Sequence, residues 1–233
     1  MICPNCGNQN LVQDEVTLDF ICSRCKTRVP EKAIEKIDFE LEESNVETNF
    51  NYLKTIKSVI LLNAEDSVGT GFIISKEGLV LTNSHVLNKL DYCYGIIGDS
   101  PDVYELELVY NGSNEDIDLC LLRIIDTEET FVPLEINSNE SKIGDNLFTI
   151  GNPKGLGLSL TKGTLSRIHK SGNLQLDMTI NPGNSGGPVL NEKGNICGVV
   201  TYILEEVQGL GFALSILKIN EFLKIIKDGG FDV

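Results

Sequence analysis

The sequence predicts an all-β fold, a barrel or a sandwich, for most of its 233 residues. Short runs rich in β-branched and aliphatic residues follow one another at close spacing, and turns marked by some of the 22 glycines separate them. The predicted strands are residues 58–62, 71–75, 79–82, 119–124, 146–151, 173–178, 188–190 and 196–202. Long helices do not alternate with these runs, so we expect antiparallel sheets rather than βαβ units.

One helix is predicted at the C-terminal end. Ser215 suits the N-cap position, and Gly229 and Gly230 mark the end of the helix. The apolar stripe between them is formed by Ile216, Ile219, Phe222, Leu223 and Ile226. Such spacing is typical of a helix with one buried face.

Composition divides the chain into three parts. Residues 1–30 hold four of the seven cysteines, residues 31–51 are charged and mainly acidic, and residues 52–233 hold the predicted strands. Within the middle part, Ile34, Ile37 and Leu41 have the spacing of a short amphipathic helix. We interpret the middle part as an acidic linker, helical in part.

The charge balance excludes some partners. Lys and Arg number 19 against 34 Asp and Glu, a net charge of -15, which argues against nucleic acid or an anionic membrane as the main partner. No apolar run reaches the roughly 18 residues of a membrane-spanning helix, and the first residues lack the basic start and apolar stretch of a signal peptide. We therefore expect a cytoplasmic protein whose cysteines bind metal or stay reduced.

The first four cysteines have the spacing of a metal site. Cys3 and Cys6, then Cys22 and Cys25, form two Cys-x-x-Cys pairs. This pattern predicts a zinc ribbon with a structural zinc, and a rubredoxin-like iron site is the weaker alternative. Four thiolates leave no open position for water, so a zinc-dependent hydrolase is disfavoured. We expect the ribbon to act in contact with a protein partner or in regulation.

Residues 181–188, Asn-Pro-Gly-Asn-Ser-Gly-Gly-Pro, suggest a serine held close to a ligand. The Ser185 hydroxyl needs a base to take its proton. Of the two histidines, His85 follows an apolar strand, whereas His169 lies in a polar turn and is interpreted as a surface residue. Asp116 and Asp118 are both expected on one face of the next strand, so alternation does not choose which one orients the histidine.

Six segments in order resemble the HtrA/Deg branch of the trypsin-like serine proteases. They are Gly-Thr-Gly-Phe-Ile-Ile at 69–74, Leu-Thr-Asn-Ser-His-Val at 81–86, Asp-Leu-Cys-Leu-Leu at 118–122, Gly-Asn-Pro at 151–153, the serine segment at 181–188 and Gly-Leu-Gly-Phe-Ala at 209–213. The resemblance covers roughly residues 58–226. The order His85, Asp118, Ser185 is that of chymotrypsin-like enzymes.

The resemblance implies a fold and a mechanism. The fold is two six-stranded antiparallel β-barrels with the site in the cleft between them. Ser185 is expected to be the nucleophile, His85 the general base and then acid, and Asp118 the orienting acid. The backbone N–H groups of Gly183 and Ser185 would form the oxyanion hole, and catalysis would need no cofactor.

The resemblance also implies a substrate preference. Thr179 would form the floor of the specificity pocket, and Ile180 and Ile203 would line its walls. Thr201 to Ile203 would pair with an extended substrate. Because no carboxylate is placed to pair a substrate Arg or Lys, we expect protein substrates to be cleaved after small or medium apolar residues.

Some features separate this chain from other branches of the family. The chain stops soon after its last helix, so we expect no PDZ domain, and Asn184 stands where secretory trypsins carry an aspartate used in zymogen activation. If activity is controlled, we therefore expect the control to act through ordering of loops 151–162 and 204–209 rather than through zymogen cleavage. Cys93, Cys120 and Cys197 are interpreted as small buried thiols. The alternative function is a catalytically silent peptide-binding or adaptor protein.

Overall fold

The computed structural model describes residues 11–13, 20–22, 28–29, 50–65, 67–125, 128–137, 139–153, 157–203 and 210–230. The chain divides into two compact units, Met1–Glu47 and Thr48–Val233. The predicted linker helix, with Ile34, Ile37 and Leu41, lies outside the described residues. The domain boundaries at residues 30 and 52 stay predictions.

The first unit contains a three-stranded antiparallel sheet. Its strands are β1 (Leu11–Gln13), β2 (Phe20–Cys22) and β3 (Arg28–Val29), in the order β1-β2-β3. The register places Leu11 opposite Cys22. Cys22 therefore ends the central strand, whereas Cys3, Cys6 and Cys25 lie outside the described residues.

The second unit contains two closed six-stranded β-barrels, as predicted. Barrel 1 has the order β4-β5-β6-β9-β8-β7, and barrel 2 has the order β10-β11-β12-β15-β14-β13. The strands of barrel 1 are β4 (Val59–Ala64), β5 (Ser67–Ile73), β6 (Leu79–Thr82), β7 (Tyr92–Ile97), β8 (Tyr104–Asn111) and β9 (Cys120–Ile124). Those of barrel 2 are β10 (Asn146–Gly151), β11 (Ser159–Ile168), β12 (Asn173–Asp177), β13 (Pro188–Leu190), β14 (Ile196–Ile203) and β15 (Leu210–Ser215). All named strand pairs within both barrels are antiparallel.

Four strands of the barrels were not predicted from the sequence, namely β7, β8, β11 and β15, and two of them, β8 and β11, are largely exposed. In β11, Leu165 is the one buried residue, and the other nine positions are exposed or partly exposed. In β8, Leu106 is likewise the one buried residue. Strands that expose so much of their surface carry polar residues, so their hydrophobic signal is weak.

The helices described are short, except the last. They are α1 (Tyr52–Thr55), α2 (Ser84–Leu87) and α3 (Ile216–Asp228), with 3₁₀ turns at Ile56–Ser58 and Gly112–Glu115. No described helix is long and apolar enough to cross a membrane. Helix α3 confirms the predicted C-terminal helix, and Ser215 is its N-cap residue, although the buried hydroxyl of Ser215 has no hydrogen-bond partner among the described residues.

One apolar cluster joins the two barrels and α3. It includes Phe72 and Leu121 from barrel 1, Leu190 and Val199 from barrel 2, and Phe222 from α3, and all of them are fully buried. A second apolar cluster fills the interior of barrel 1, and a third fills the interior of barrel 2. The shared cluster fixes one barrel against the other, and so it sets where their facing loops meet.

The three cysteines of the barrels are buried free thiols, as predicted. Burial raises the pKa of Cys93 to about 12 and also raises the pKa values of Cys120 and Cys197. These thiols therefore stay protonated at neutral pH and fill space as small apolar side chains.

Candidate active site

His85 is held by its two preceding residues. Asn83 and Ser84 directly follow β6, and both are buried. The Asn83 side-chain amide donates to the Asp118 carbonyl at 2.7 Å, and the Ser84 hydroxyl donates to the Leu119 carbonyl at 2.8 Å. These bonds fix the start of α2, so that His85 projects from its first turn with a side chain 49% exposed.

Asp118 precedes β9 rather than lying within it. Asp116 ends the 3₁₀ turn at Gly112–Glu115 with a φ of 55°, and β9 begins only at Cys120. The prediction that both aspartates share one strand face is therefore wrong, because both lie between the 3₁₀ turn and β9 and neither belongs to a strand. Asp116 is exposed, whereas Asp118 is half-buried and points to His85.

The Asp118 carboxylate binds His85 at two points. His85 Nδ1 donates to Asp118 Oδ2 at 2.8 Å, and the His85 backbone N–H donates to Asp118 Oδ1 at 3.1 Å. The first bond selects the tautomer with a proton on Nδ1 and leaves Nε2 able to accept one. The arrangement therefore prepares His85 to act as a base.

Ser185 lies on the loop between β12 and β13. Its hydroxyl donates to the carbonyl of Thr201 at 3.2 Å, and no hydrogen bond between Ser185 Oγ and the His85 ring is present among the described residues. The Thr201 hydroxyl in turn donates to Asp118 Oδ2 at 2.8 Å. Thr201 therefore links the serine of barrel 2 to the aspartate of barrel 1.

The contacts of Thr201 were not predicted from the sequence, which assigns this residue to substrate pairing. The register of β14 against β15 shifts between Val200 and Tyr202, which leaves Thr201 at a bulge. Bulges commonly turn a side chain toward an active site. No sequence signal distinguishes Thr201, because its contact with Asp118 joins residues 83 positions apart.

Two backbone N–H groups beside Ser185 have no protein acceptor among the described residues. They are those of Gly183 and Ser185, whereas the intervening Asn184 N–H donates to the Asn181 carbonyl at 3.0 Å. Gly183 has a φ of 97°, which favours glycine. The two N–H groups are thus available to an anionic ligand next to the serine hydroxyl.

The serine loop packs directly on β5 of barrel 1. The Thr70 N–H donates to the Ser185 carbonyl at 2.9 Å. A Cβ atom on Gly186 would lie 2.1 Å from the Thr82 hydroxyl and 2.2 Å from the Thr70 carbonyl, and Gly186 has a φ of 81°. This close approach explains why glycine follows the serine.

The predicted pocket residues differ in their surroundings. Thr179 is exposed, whereas Ile180 is 7% exposed and belongs to the apolar cluster of barrel 2. A Cβ atom on Gly211 would lie 2.3 Å from Ile180 Cγ1, so Ile180 fills the space beside β15. Ile203 ends β14, and its side chain lies outside the described residues, as do residues 204–209.

His169 takes no part in these contacts. It is half-buried rather than a fully exposed surface residue, with its ring 5.8 Å from that of Phe212 and Nε2 3.3 Å from Gln175 Oε1. The sequence interpretation of His169 as a surface residue outside the catalytic group therefore needs one refinement, because its ring is partly buried.

The predicted metal ligands lie away from this site in the sequence. Within the described ranges, no group of three or more His, Cys, Asp or Glu residues could hold a metal ion. Cys3, Cys6 and Cys25 lie outside those ranges, and of Cys22 the structure describes the backbone alone. The zinc ribbon therefore stays a prediction.

We predict that Gly186→Ala destabilises the protein far more than Gly194→Ala. Both glycines have a φ of 81°, but the nearest atom to a Cβ on Gly194 is 3.7 Å away. Gly194→Ala should lower the free energy of unfolding by about 1–2 kcal/mol, the cost of the left-handed conformation alone. Urea unfolding of both variants measures the difference, and equal losses would contradict the proposed close approach.

Comparison with known proteins agrees with this geometry. A trypsin-like peptidase domain matches residues 69–199. A serine endoprotease DegS from Haemophilus influenzae is 32% identical over 179 residues, which cover 70% of this chain and 52% of that protein. A probable periplasmic serine endoprotease, DegP-like, from Rickettsia conorii is 32% identical over 230 residues, 92% of this chain and 43% of that protein. The chain thus spans about half the length of these curated relatives.

Solved structures show the same fold. The crystal structure of a serine endoprotease from Yersinia pestis has a TM-score of 0.67 and 30% identity, and the match covers 77% of this chain and 68% of that one. A Mycobacterium tuberculosis protein in an inactive form has a TM-score of 0.67 at 22% identity, covering 78% of this chain and 92% of that one, and it supports the fold alone. The curated relatives that it resembles are named as Deg-type serine endoproteases, and the chain itself belongs to the trypsin-like peptidase family.

Proposed function

We propose that the chain is a serine endopeptidase that cleaves protein substrates through Ser185, His85 and Asp118. The observation that carries this proposal is the 2.8 Å bond between His85 Nδ1 and Asp118 Oδ2, next to a serine whose loop presents two unpaired N–H groups among the described residues. A structural histidine does not require this combination. Nucleophilic catalysis by a serine requires a base, an orienting acid and an oxyanion site.

The proposed reaction begins when Ser185 Oγ leaves the Thr201 carbonyl and attacks the substrate carbonyl carbon. His85 Nε2 takes the hydroxyl proton, and Asp118 stabilises the resulting imidazolium. The N–H groups of Gly183 and Ser185 bind the oxyanion of the tetrahedral intermediate. His85 then protonates the leaving amine, and a water molecule hydrolyses the acyl-enzyme by the same steps in reverse.

The resting hydrogen bond of Ser185 fits this sequence. The Thr201 carbonyl, at 3.2 Å from Ser185 Oγ, holds the hydroxyl in an unreactive direction. An extended substrate lying along β14 would compete for that carbonyl with its own N–H group. Substrate binding would thereby release the hydroxyl toward His85.

We predict that Ser185→Ala abolishes proteolysis without unfolding the barrels. The change removes the nucleophile and leaves only a small void, and losses of this kind lower kcat by about 10⁶-fold. Hydrolysis of a casein-type substrate, with circular dichroism as the folding check, measures the effect. Ser166→Ala, at an exposed serine of β11 outside residues 151–162, is the matched control and should keep full activity. Equal proteolysis by Ser185→Ala and the unsubstituted chain would contradict the proposal.

A silent peptide-binding or adaptor protein is the second candidate function, and it is favoured by the lack of a hydrogen bond between Ser185 Oγ and the His85 ring among the described residues. A fluorophosphonate reagent separates the two functions. Covalent labelling lost in Ser185→Ala supports the peptidase, whereas no labelling, with peptide present or absent, supports the adaptor.

We propose a preference for small or medium apolar residues before the scissile bond, with Thr179, Ile180 and Ile203 forming the pocket. The buried Ile180 side chain against Gly211 supports this preference, because it limits the space for a large side chain. Thr179 is neutral, so nothing at the proposed floor would pair a substrate Arg or Lys.

We predict that Ile180→Ala shifts cleavage toward larger residues such as Leu and Phe. Each methylene of difference in an apolar pocket is worth roughly 10-fold or more in kcat/KM. Peptides that differ only at this position measure the ratio. Met178→Ala removes a neighbour from the same buried cluster and should leave the ratio unchanged. Dominant cleavage after Arg or Lys would refute the assignment.

We also propose that Cys3, Cys6, Cys22 and Cys25 bind a structural zinc. Four thiolates suit tetrahedral zinc, and the strand that Cys22 ends belongs to a three-stranded antiparallel sheet. The metal would supply folding energy to this small unit rather than chemistry to the reaction. The unit would contact a protein partner.

The cytoplasmic location stays a prediction, and several relatives are named as probable periplasmic proteins.

We predict that Cys22→Ser lowers the zinc content but leaves hydrolysis of short peptides unchanged. The proposed ligands all precede the barrels, so their loss should weaken cleavage of a native protein substrate only. Metal analysis and parallel assays of both substrates measure these effects. Cys197→Ala, at a buried thiol of barrel 2, should keep its zinc. Loss of short-peptide turnover while the barrels stay folded would indicate that the ribbon acts directly on the catalytic loops.

A further inference from the structure

Thr70 of β5 makes three hydrogen bonds to barrel 2 and is fully buried. Its N–H donates to the Ser185 carbonyl at 2.9 Å. Its hydroxyl donates to the Gly183 carbonyl at 2.7 Å and accepts from the Asn152 N–H at 3.2 Å. One residue of barrel 1 thus binds both residues whose N–H groups form the proposed oxyanion hole.

These bonds fix the two peptide planes that surround the site. The Gly183 carbonyl belongs to the plane between Gly183 and Asn184, and the Ser185 carbonyl belongs to the plane between Ser185 and Gly186. The Asn184 N–H, at the other end of the first plane, donates to Asn181. The Gly183 N–H lies just before the first plane, and the Ser185 N–H lies between the two.

Gly183 is the residue at which this arrangement could fail. Glycine adopts positive and negative φ values with similar energies, so its observed φ of 97° is not maintained by its own sterics. Hydrogen bonds to the Gly183–Asn184 peptide plane therefore have to restrain Gly183 and keep its N–H turned toward the proposed oxyanion position. The Thr70 hydroxyl supplies one of these bonds from a strand of the other barrel.

The Asn152 N–H gives the Thr70 hydroxyl a direction. A hydroxyl has one proton, and an N–H donor approaching its oxygen favours pointing that proton elsewhere. Here the proton points to the Gly183 carbonyl. Accepting one bond while donating another also strengthens the donated bond.

We infer that Thr70 is a positioning residue, whose hydroxyl holds the Gly183 carbonyl so that the N–H groups of Gly183 and Ser185 are arranged for the oxyanion before substrate binds. This inference rests on the proposed peptidase function. Thr70 touches no reacting atom, and it acts through the backbone of the serine loop. Oxyanion stabilisation depends on such preorganisation, because donors already in place need no rearrangement during the reaction.

The test is Thr70→Val, which removes the hydroxyl and keeps the side-chain shape and the N–H bond to Ser185. A lost oxyanion donor lowers kcat by about 10²–10³-fold, so a displaced one should lower it by about 10-fold or more with little change in KM. Thr70→Ser keeps the hydroxyl and should restore kcat. Thr149→Val is the matched control, because Thr149 is equally buried in β10 and its hydroxyl has no hydrogen-bond partner among the described residues. It should leave kcat unchanged.

Affinity for a peptide aldehyde is a measurement that a merely structural role of Thr70 would not change selectively. The aldehyde forms a tetrahedral adduct whose oxyanion needs both N–H groups, whereas a product peptide of the same sequence does not. In Thr70→Val, aldehyde affinity should fall in parallel with kcat/KM while product-peptide affinity stays constant. Equal kcat and aldehyde affinity in Thr70→Val and the unsubstituted chain would overturn the inference, as would a parallel fall in the affinities of both ligands.

Two further results distinguish a folding defect of the variant, and a failure of the proposed peptidase function, from a failure of the Thr70 assignment. If Thr70→Val does not fold, Thr70→Ala gives more room and should show the same loss of kcat and aldehyde affinity. Unfolding of both variants while Thr149→Val folds would overturn the inference in favour of a purely structural role. If the unsubstituted chain neither cleaves peptide nor reacts with a fluorophosphonate, the proposed function itself fails, which is distinguishable from failure of the Thr70 assignment alone.

Discussion

The contact between β5 and the serine loop is the interaction on which the site depends. His85 and Asp118 belong to barrel 1 and Ser185 belongs to barrel 2, so neither barrel contains the whole constellation. The bond from the Thr70 N–H to the Ser185 carbonyl fixes the serine against barrel 1. The glycine after the serine allows an approach that any side chain would block. The apolar cluster shared by both barrels and α3 also holds the two barrels together.

Thr70 and Thr201 connect the barrels in opposite directions. Thr70 reaches from barrel 1 to the serine loop, and Thr201 reaches from barrel 2 to Asp118. Both are buried hydroxyl residues that donate to an oxygen of the other barrel. A buried hydroxyl with a fixed partner holds geometry more tightly than apolar contact alone, because a hydrogen bond has a preferred direction. The proposed chemistry therefore depends on hydrogen bonds between the two barrels, whose shared contact is otherwise apolar.

The sequence predicted the parts of this arrangement that depend on short segments. The Asn-Ser-Gly-Gly run and the histidine after an apolar strand are local signals, and eight of the twelve barrel strands have the expected hydrophobic runs. The structure differs where the signal is weak or absent. Strands β8 and β11 each bury a single residue, so their sequences resemble loops. Asp116 and Asp118 could not be placed before the 3₁₀ turn between β8 and β9 was known.

The hydrogen bonds that Thr70 and Thr201 make between the two barrels had no sequence signal. The Thr70 hydroxyl contacts a residue 113 positions away, and the Thr201 hydroxyl contacts one 83 positions away. Threonine is common in strands, so neither residue type nor spacing marks these two among the others. Only the three-dimensional packing of the barrels shows which hydroxyls cross between them.

The most direct measurement is a crystal structure of the chain after reaction with a peptide phosphonate. A covalent bond between phosphorus and Ser185 Oγ is predicted, with the phosphonyl oxygen accepting from the N–H groups of both Gly183 and Ser185. The Thr70 hydroxyl should still donate to the Gly183 carbonyl in that adduct, and His85 should remain bound to Asp118. A phosphonate attached elsewhere, or a phosphonyl oxygen turned away from the Gly183 N–H, would contradict the account.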